Sequence, residues 1–303
     1  MITKILVPLD TSELAEQALL TAAAIAKASS AELWLALVHP MAPVAGYPDA
    51  PWNAARTSMK GGYVEDKARE IEKQFGVVVV TKLLRGDVTK ELVDLAQAQR
   101  IDLIVMTTHG RTGLSRSWMG SVADTIMRSV DIPVLMLREC KPGSDYWQKP
   151  QTFPRILIPL DGSLRAERII DAAVAVAGTN ASFVLARAVA PIPSVPAYAD
   201  PYAISTTTVD SGATDSMVTE ASDYVGRVAK MLADRGVASV EQATIVADHA
   251  GSMLLDVARA HGVNLIALGS HGRGASRFIF GSVADSILSD SMIPILVCRG
   301  GAV

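Results

Sequence analysis

The 303-residue chain is half hydrophobic and only 19% charged, a composition that excludes both a disordered chain and a fibrous repeat. At about 150 residues per domain, the length predicts two compact domains, each able to bury its own core. Charge divides into 17 basic against 17 acidic residues over 1–150 and 11 against 14 over 151–303, so there is no basic surplus to neutralise phosphates and no nucleic-acid partner is expected.

In chain order, residues 5–9 read as a short, fully apolar strand. Residues 12–27 follow as a helix, with Leu14, Ala18, Leu19, Ala22 and Ile25 at helical spacing and Thr11 or Ser12 available as its cap. A strand over 33–39 leads to a helix over 64–74, a third strand over 77–84 and a helix over 89–99. Strand four covers 102–107, and a Gly-rich loop, a helix over 121–130 and a fifth strand over 133–137 complete the first half. The second half repeats this order, from a strand over 156–160 to one over 295–298. Strands that alternate with helices and are apolar on both faces predict an α/β fold: two tandem, doubly wound domains, each a five-stranded parallel sheet covered on both sides. The domains are expected over 1–140 and 154–303, joined by a linker over 141–153.

Internal repetition carries the two-domain reading. KILVPLDTS (4–12) returns as RILIPLDGS (155–163), THGRTGLSR (108–116) as SHGRGASR (270–277), and GSVADTI (120–126) as GSVADSI (281–287). The last strands also match, DIPVLMLR (131–138) against SMIPILVCR (291–299). Units near 150 residues are whole domains, which excludes a solenoid. Two stretches, 41–62 and 191–217, are rich in Pro, Ala, Gly, Ser and Thr, with Tyr47, Trp52, Tyr63, Tyr198 and Tyr202 in or beside them. They read as long insertions, either lids and partner surfaces or disordered segments.

In parallel sheets of this kind ligands bind beyond the carboxyl ends of the strands, where Asp10, Asp161 and both Gly-rich loops fall. Gly120-Ser121-Val122 opens a helix, so its free N–H groups and the helix dipole offer a seat for phosphate, with Ser121 adding a hydroxyl, Gly110 permitting close approach and Arg111 supplying charge. The P-loop pattern is absent, and Gly272-Arg273-Gly274 is not continued as G-x-G-x-x-G.

The strand motif P-L-D, the H-G-R loop, the G-S-V-A-D helix start and the final I-P-V-L strand together resemble two tandem universal stress protein domains, whose nucleotide-binding members show G-x2-G-x9-G-[ST]. The resemblance implies a Rossmann-like fold, related to the adenine nucleotide alpha hydrolases, that holds ATP with Mg²⁺ carried on its phosphates. In the first half it carries over to Pro8, Leu9 and Asp10 around the adenosine, Asp10 facing the ribose hydroxyls, to Gly86 after strand three, and to Thr107, Gly110, Arg111, Gly120, Ser121 and Val122 around the phosphates. In the second half it carries over to Pro159, Leu160, Asp161, Gly269, Gly272, Arg273, Gly281, Ser282 and Val283. Departures are visible: Thr107 replaces the first motif glycine, and Pro40 removes an N–H near the adenine position. Residues 273–280 number eight where the motif has nine, and Asp248 falls where the first half has Gly86. These departures rank the first site above the second. The resemblance also implies pairing of the fifth strands, 133–137 with 294–298, as an intramolecular pseudo-dimer, with a further homodimer left open.

The remaining candidates read as structural. His109 and His271 stand at equivalent loop positions without a second ligand at metal spacing, and His39, His249 and His261 lack convergent partners. Cys140 and Cys298 form no C-x-x-C pair, which points to a reducing compartment. Without a signal-peptide pattern or an apolar run of about 20 residues, a cytoplasmic location with no membrane association is expected. The reading is a nucleotide-responsive stress-response module rather than a fast enzyme, with a slow ATPase or phosphotransferase, or a scaffold or small-ligand binder with decayed sites, as the alternatives.

Overall fold

The computed structural model describes residues 1–40, 51–108, 120–139, 149–194, 208–269 and 281–299. The first half runs β1 (Lys4–Leu9), α1 (Glu13–Ser29), β2 (Glu32–His39), α2 (Pro51–Phe75), β3 (Val79–Arg85), α3 (Val88–Ala98), β4 (Leu103–Thr108), α4 (Ser121–Ser129) and β5 (Val134–Arg138). The second runs β6 (Arg155–Pro159), α5 (Leu164–Glu167), α6 (Ile169–Ala177), β7 (Ser182–Val189), β8 (Pro193–Ser194), β9 (Thr208–Val209), α7 (Ser211–Asp234), β10 (Ser239–Val246), α8 (Ala250–Ala260), β11 (Leu265–Gly269), α9 (Ser282–Asp290) and β12 (Ile295–Cys298).

Ile5, Leu6 and Val7 are all fully buried, as are Ile156, Leu157 and Ile158. Consecutive residues point to opposite faces of a strand, so both faces must be covered. One apolar layer joins these strands to α1, α2, α6 and α7 through Leu19, Val64, Ile169 and Val225. The opposite layer holds α3, α4, α8 and α9 through Leu95, Ile126, Leu254 and Ile287. Within each half the strands are parallel, in the order β3-β2-β1-β4-β5 and its counterpart β10-β7-β6-β11-β12.

The halves join as the sequence suggested. β5 and β12 pair antiparallel, with Leu296 opposite Leu135, Ile295 opposite Met136 and Val297 opposite Val134, and complete a ten-stranded sheet. Leu135 and Leu296 occupy the same place in the repeat, so a local pseudo-two-fold passes between them.

Three expectations need correction. Residues 51–62 belong to the 25-residue helix α2 rather than to an insertion; Pro51 stands at the first helical position, where its missing N–H costs nothing. Residues 191–217 include a short β8–β9 pairing and the start of α7, capped by Asp210, whose carboxylate accepts from the Ala213 N–H at 3.0 Å. The first helix of the second half is two helices, α5 and α6, and so does not repeat the single α1.

Candidate functional site

Between β1 and β4 the strand order reverses, because β1 leads outward to β2 and β3 while β4 leads toward β5. Carboxyl ends at such a switch point splay their following loops apart and leave a crevice. A cleft of about 420 Å³ lies there, lined by Pro8, Leu9 and Asp10 from the end of β1, by Met106, Thr107 and Thr108 from β4, and by Gly120, Ser121 and Val122 at the start of α4. Pro40 and Lys60 also line it.

Asp10 is exposed and shapes the turn after β1. Its Oδ1 accepts from the Ser12 N–H at 2.9 Å and from the Ser12 hydroxyl at 2.5 Å, while Ser12 Oγ accepts from the Ala15 N–H at 3.1 Å and caps α1. Ser12, rather than Thr11, is therefore the cap. Asp10 Oδ2 accepts no hydrogen bond among the described residues. Thr11 between them has φ +74°, a conformation that costs a β-branched residue strain. Asp161 repeats the turn by accepting from the Ser163 N–H at 2.9 Å, with Gly162 at φ +85° in the place of Thr11.

At the other wall, α4 begins without a side-chain cap. Gly120 is its N-cap residue at φ −65° and ψ 152°, and a Cβ added there would meet nothing within 4 Å. Neither backbone conformation nor packing among the described residues requires glycine at this position. α1, α3, α5 and α7 are capped by Ser12, Asp87, Ser163 and Asp210, whereas α6 and α8 also begin without a side-chain cap, and of these uncapped starts the α4 one lines the cleft. The start of α4 lines the cleft, and a helix start carries unsatisfied N–H groups and partial positive charge. Gly281 begins α9 in the same way, again with no side-chain cap.

The first motif position has a packing role in both halves. A Cβ on Gly269 would sit 3.2 Å from the Ala166 Cα and 3.2 Å from the Arg165 carbonyl oxygen, so α5 packs directly on the end of β11. In the first half Thr107 takes that place and donates its hydroxyl to the Leu14 carbonyl at 2.6 Å. Behind the cleft, Tyr63 of α2 donates to Glu16 Oε1 at 2.8 Å and Lys67 Nζ pairs with Glu16 Oε2 at 2.8 Å, locking α2 to α1. Burial, and then the Glu16 hydrogen bond, hold the Tyr63 hydroxyl far above the usual tyrosine range.

Of the residues singled out in the first half, Pro8, Leu9, Asp10, Thr107, Gly120, Ser121 and Val122 meet in this cleft. Gly86 does not line it in this structure; its N–H donates to the His39 carbonyl at 3.2 Å beyond the end of β3. Gly110, Arg111 and His109 lie outside the described residues, as do Gly272, Arg273, His271 and Cys140. In the second half, Pro159, Leu160 and Asp161 end β6 as their counterparts end β1, Gly269 ends β11, and Gly281, Ser282 and Val283 open α9. One alignment depends on the element it is counted from: Asp248 precedes the α8 N-cap His249 as Gly86 precedes the α3 N-cap Asp87, whereas the strand hydrogen bond of Gly86 to the His39 carbonyl is made in the second half by Ala247, whose N–H donates to the Val189 carbonyl at 2.9 Å. Lys60 was missed, since its segment read as an insertion. Its only sequence signal was a position three residues before Tyr63, on the same helix face.

Among the described residues, no group of three or more His, Cys, Asp or Glu residues could hold a metal ion, and no helix is long and apolar enough to cross a membrane.

Strand order and cleft together define a tandem, doubly wound α/β protein with an open crevice at the switch point of its first sheet. The model of the universal stress protein family matches residues 1–138 and again residues 152–299, and the chain belongs to that family. A universal stress protein of Methanocaldococcus jannaschii is 33% identical over 141 residues, covering 46% of this chain and 83% of that protein. One from Mycobacterium tuberculosis is 25% identical over 204 residues; the match spans 65% of this chain and 62% of the mycobacterial protein. Among solved structures, a universal stress protein from Archaeoglobus fulgidus shares the fold with a TM-score of 0.70 at 18% identity, over 98% of each chain.

Proposed function

We propose that the chain binds an adenine nucleotide, ATP foremost, in the first cleft and acts as a nucleotide-responsive module of a stress response. The observation that carries this reading is the uncapped start of α4 facing Asp10 across one cleft, with open space where a Gly120 side chain would lie. A helix start with unsatisfied N–H groups accepts phosphate, and a carboxylate ending the first strand accepts ribose hydroxyls. Ser121 and Val122 would hold the phosphates with their amides, Pro8 and Leu9 would flank the adenosine, and Arg111 would add charge from the loop. Mg²⁺ would enter on the phosphates, since the described residues offer it no cage of their own.

The second half is assigned the weaker site because its loop, at eight residues over 273–280, is one shorter. Response needs only that nucleotide bind two conformations unequally. The test is to purify the full chain, release any ligand by denaturation, identify it by mass spectrometry and follow added ATP for turnover. Nucleotide recovered without turnover supports a binding module; steady release of phosphate would make it a slow hydrolase. Absence of both retained nucleotide and measurable affinity would leave a scaffold or a binder of another small molecule.

A further inference from the structure

We propose that Lys60 reads the charge of the ligand in the first cleft: it meets the anionic group and makes affinity rise with phosphate number. This rests on the adenine-nucleotide reading and adds a residue that the glycine motif does not contain.

Lys60 lines the same cleft as Asp10, Gly120, Ser121 and Val122. Its position is fixed from behind, because the bonds of Tyr63 and Lys67 to Glu16 orient α2 against α1. Residues three and four apart share a helix face, so Lys60 stands on that face one turn nearer the carboxyl ends of the strands. Lys60 is partly buried, yet it forms no ion pair and no hydrogen bond among the described residues. Two other partly buried cations near the tyrosine clasps have carboxylate partners, Lys67 with Glu16 at 2.8 Å and Arg187 with Glu220 at 3.9 Å. An ammonium that lines a cleft without a counter-charge is available to an arriving phosphate, which it meets with a charge-assisted hydrogen bond.

The second half supplies an internal comparison. Its tyrosine clasp is the same, with Tyr224 donating to Glu167 Oε1 at 2.9 Å, so the two long helices align residue for residue around it. Three residues before Tyr224 stands Ala221, fully buried, where the first half has Lys60. The cation of that half comes instead from β7, where the Arg187 guanidinium lies 5.2 Å from the centre of the Tyr224 ring. The two halves therefore differ in where the cation nearest the tyrosine clasp is carried, on α2 in the first and on β7 in the second.

The experiment is calorimetric titration of the full chain and of Lys60→Gln and Lys60→Arg with adenosine, AMP, ADP and ATP. For the wild type, affinity is expected to climb with each phosphate. Lys60→Gln is expected to weaken ATP about tenfold and adenosine less than about twofold, and Lys60→Arg to restore most of the ATP affinity. If the wild type binds ATP and Lys60→Gln leaves the ladder of affinities unchanged, the role of Lys60 is overturned and the nucleotide reading stands. If the wild type binds none of the four, that reading falls and takes this inference with it.

Discussion

Arg138, at the end of β5 in the first half, donates a guanidinium N–H to the carbonyl of Leu288 in the last turn of α9, in the second half. It is 3% exposed and also reaches Thr108 Oγ1 at 3.3 Å. Arg299, its counterpart in the repeat, donates to the carbonyl of Arg128 in the last turn of α4. Each half thus holds the end of the other's helix whose start opens onto a Gly-rich loop, a placement that also favours cations electrostatically. Burial lowers Arg138 to about 10, which leaves it charged at neutral pH.

Removing this anchor leaves a cavity and an unsatisfied carbonyl in the seam. Arg138→Ala is expected to cost about 2–4 kcal/mol in urea unfolding. Arg299→Ala, at a more exposed site, should cost less. Equal and small effects from the two would show that the seam does not depend on Arg138.

Gly269 and Thr107 solve one packing problem in two ways, and the substitutions should not be interchangeable. Gly269→Ala pushes a methyl to 3.2 Å from the backbone of α5 and is expected to destabilise by about 1–3 kcal/mol. Thr107→Ala removes the hydroxyl bond to Leu14 together with one methyl group, introduces no clash, and should cost about 1 kcal/mol. Thermal melts of both variants, monitored by circular dichroism, test this order.

Thr11 holds φ +74° where Gly162 holds φ +85°. Thr11→Gly is therefore expected to stabilise the chain, by at most about 1 kcal/mol once the greater flexibility of the unfolded glycine chain is subtracted. A rise in denaturation midpoint at unchanged slope is the expected outcome, and a fall would place the strain elsewhere.

Asp102 ties the chain ahead of β1 to the start of β4. Its Oδ2 accepts from the Thr3 N–H at 2.7 Å, the Thr3 hydroxyl at 2.6 Å and the Lys4 N–H at 3.0 Å. Burial pushes its carboxyl up, but these hydrogen bonds outweigh it and hold the group below the usual carboxylate range. Because the folded value is the lower one, this stabilisation is present above about pH 4 and is lost as pH falls through the folded value. Asn264 does the same work uncharged in the second half, accepting from the Arg155 N–H at 3.1 Å. Asp102→Asn is expected to cost about 1 kcal/mol or less at pH 7, since the site is partly exposed, and nothing measurable near pH 3. Unfolding free energies at the two pH values decide it.

How much was legible depended on how local the cause was. β1 showed itself because an unbroken apolar run bounded by Asp10 has few alternatives. The pairing of the fifth strands could be anticipated from the family resemblance, since the repeat puts two such strands in one chain, but the register of Leu135 opposite Leu296 could not. The first three turns of α2 were not visible, since Pro, Gly and Ser around residues 51–62 obscured the apolar period, and Lys60 went with them. That Ala247 rather than Asp248 makes the strand hydrogen bond of Gly86 was equally hidden, because it is set by the pairing of β10 with β7 and leaves no mark in either loop. Asp10 and Gly120 were found as single residues in repeated motifs; that they line one cleft is a consequence of the strand order.

The central claim is that the open start of α4 receives a nucleotide, and Gly120→Val tests it most directly. The backbone there suits valine, and a Cβ would meet nothing within 4 Å among the described residues, so the variant should fold as the wild type does. Calorimetric titration of ATP into the wild type, Gly120→Val and Gly281→Val is expected to show saturable binding in the wild type, loss of the tighter site in Gly120→Val and its retention in Gly281→Val. No saturable uptake by the wild type, or unchanged binding by a folded Gly120→Val, would contradict the account.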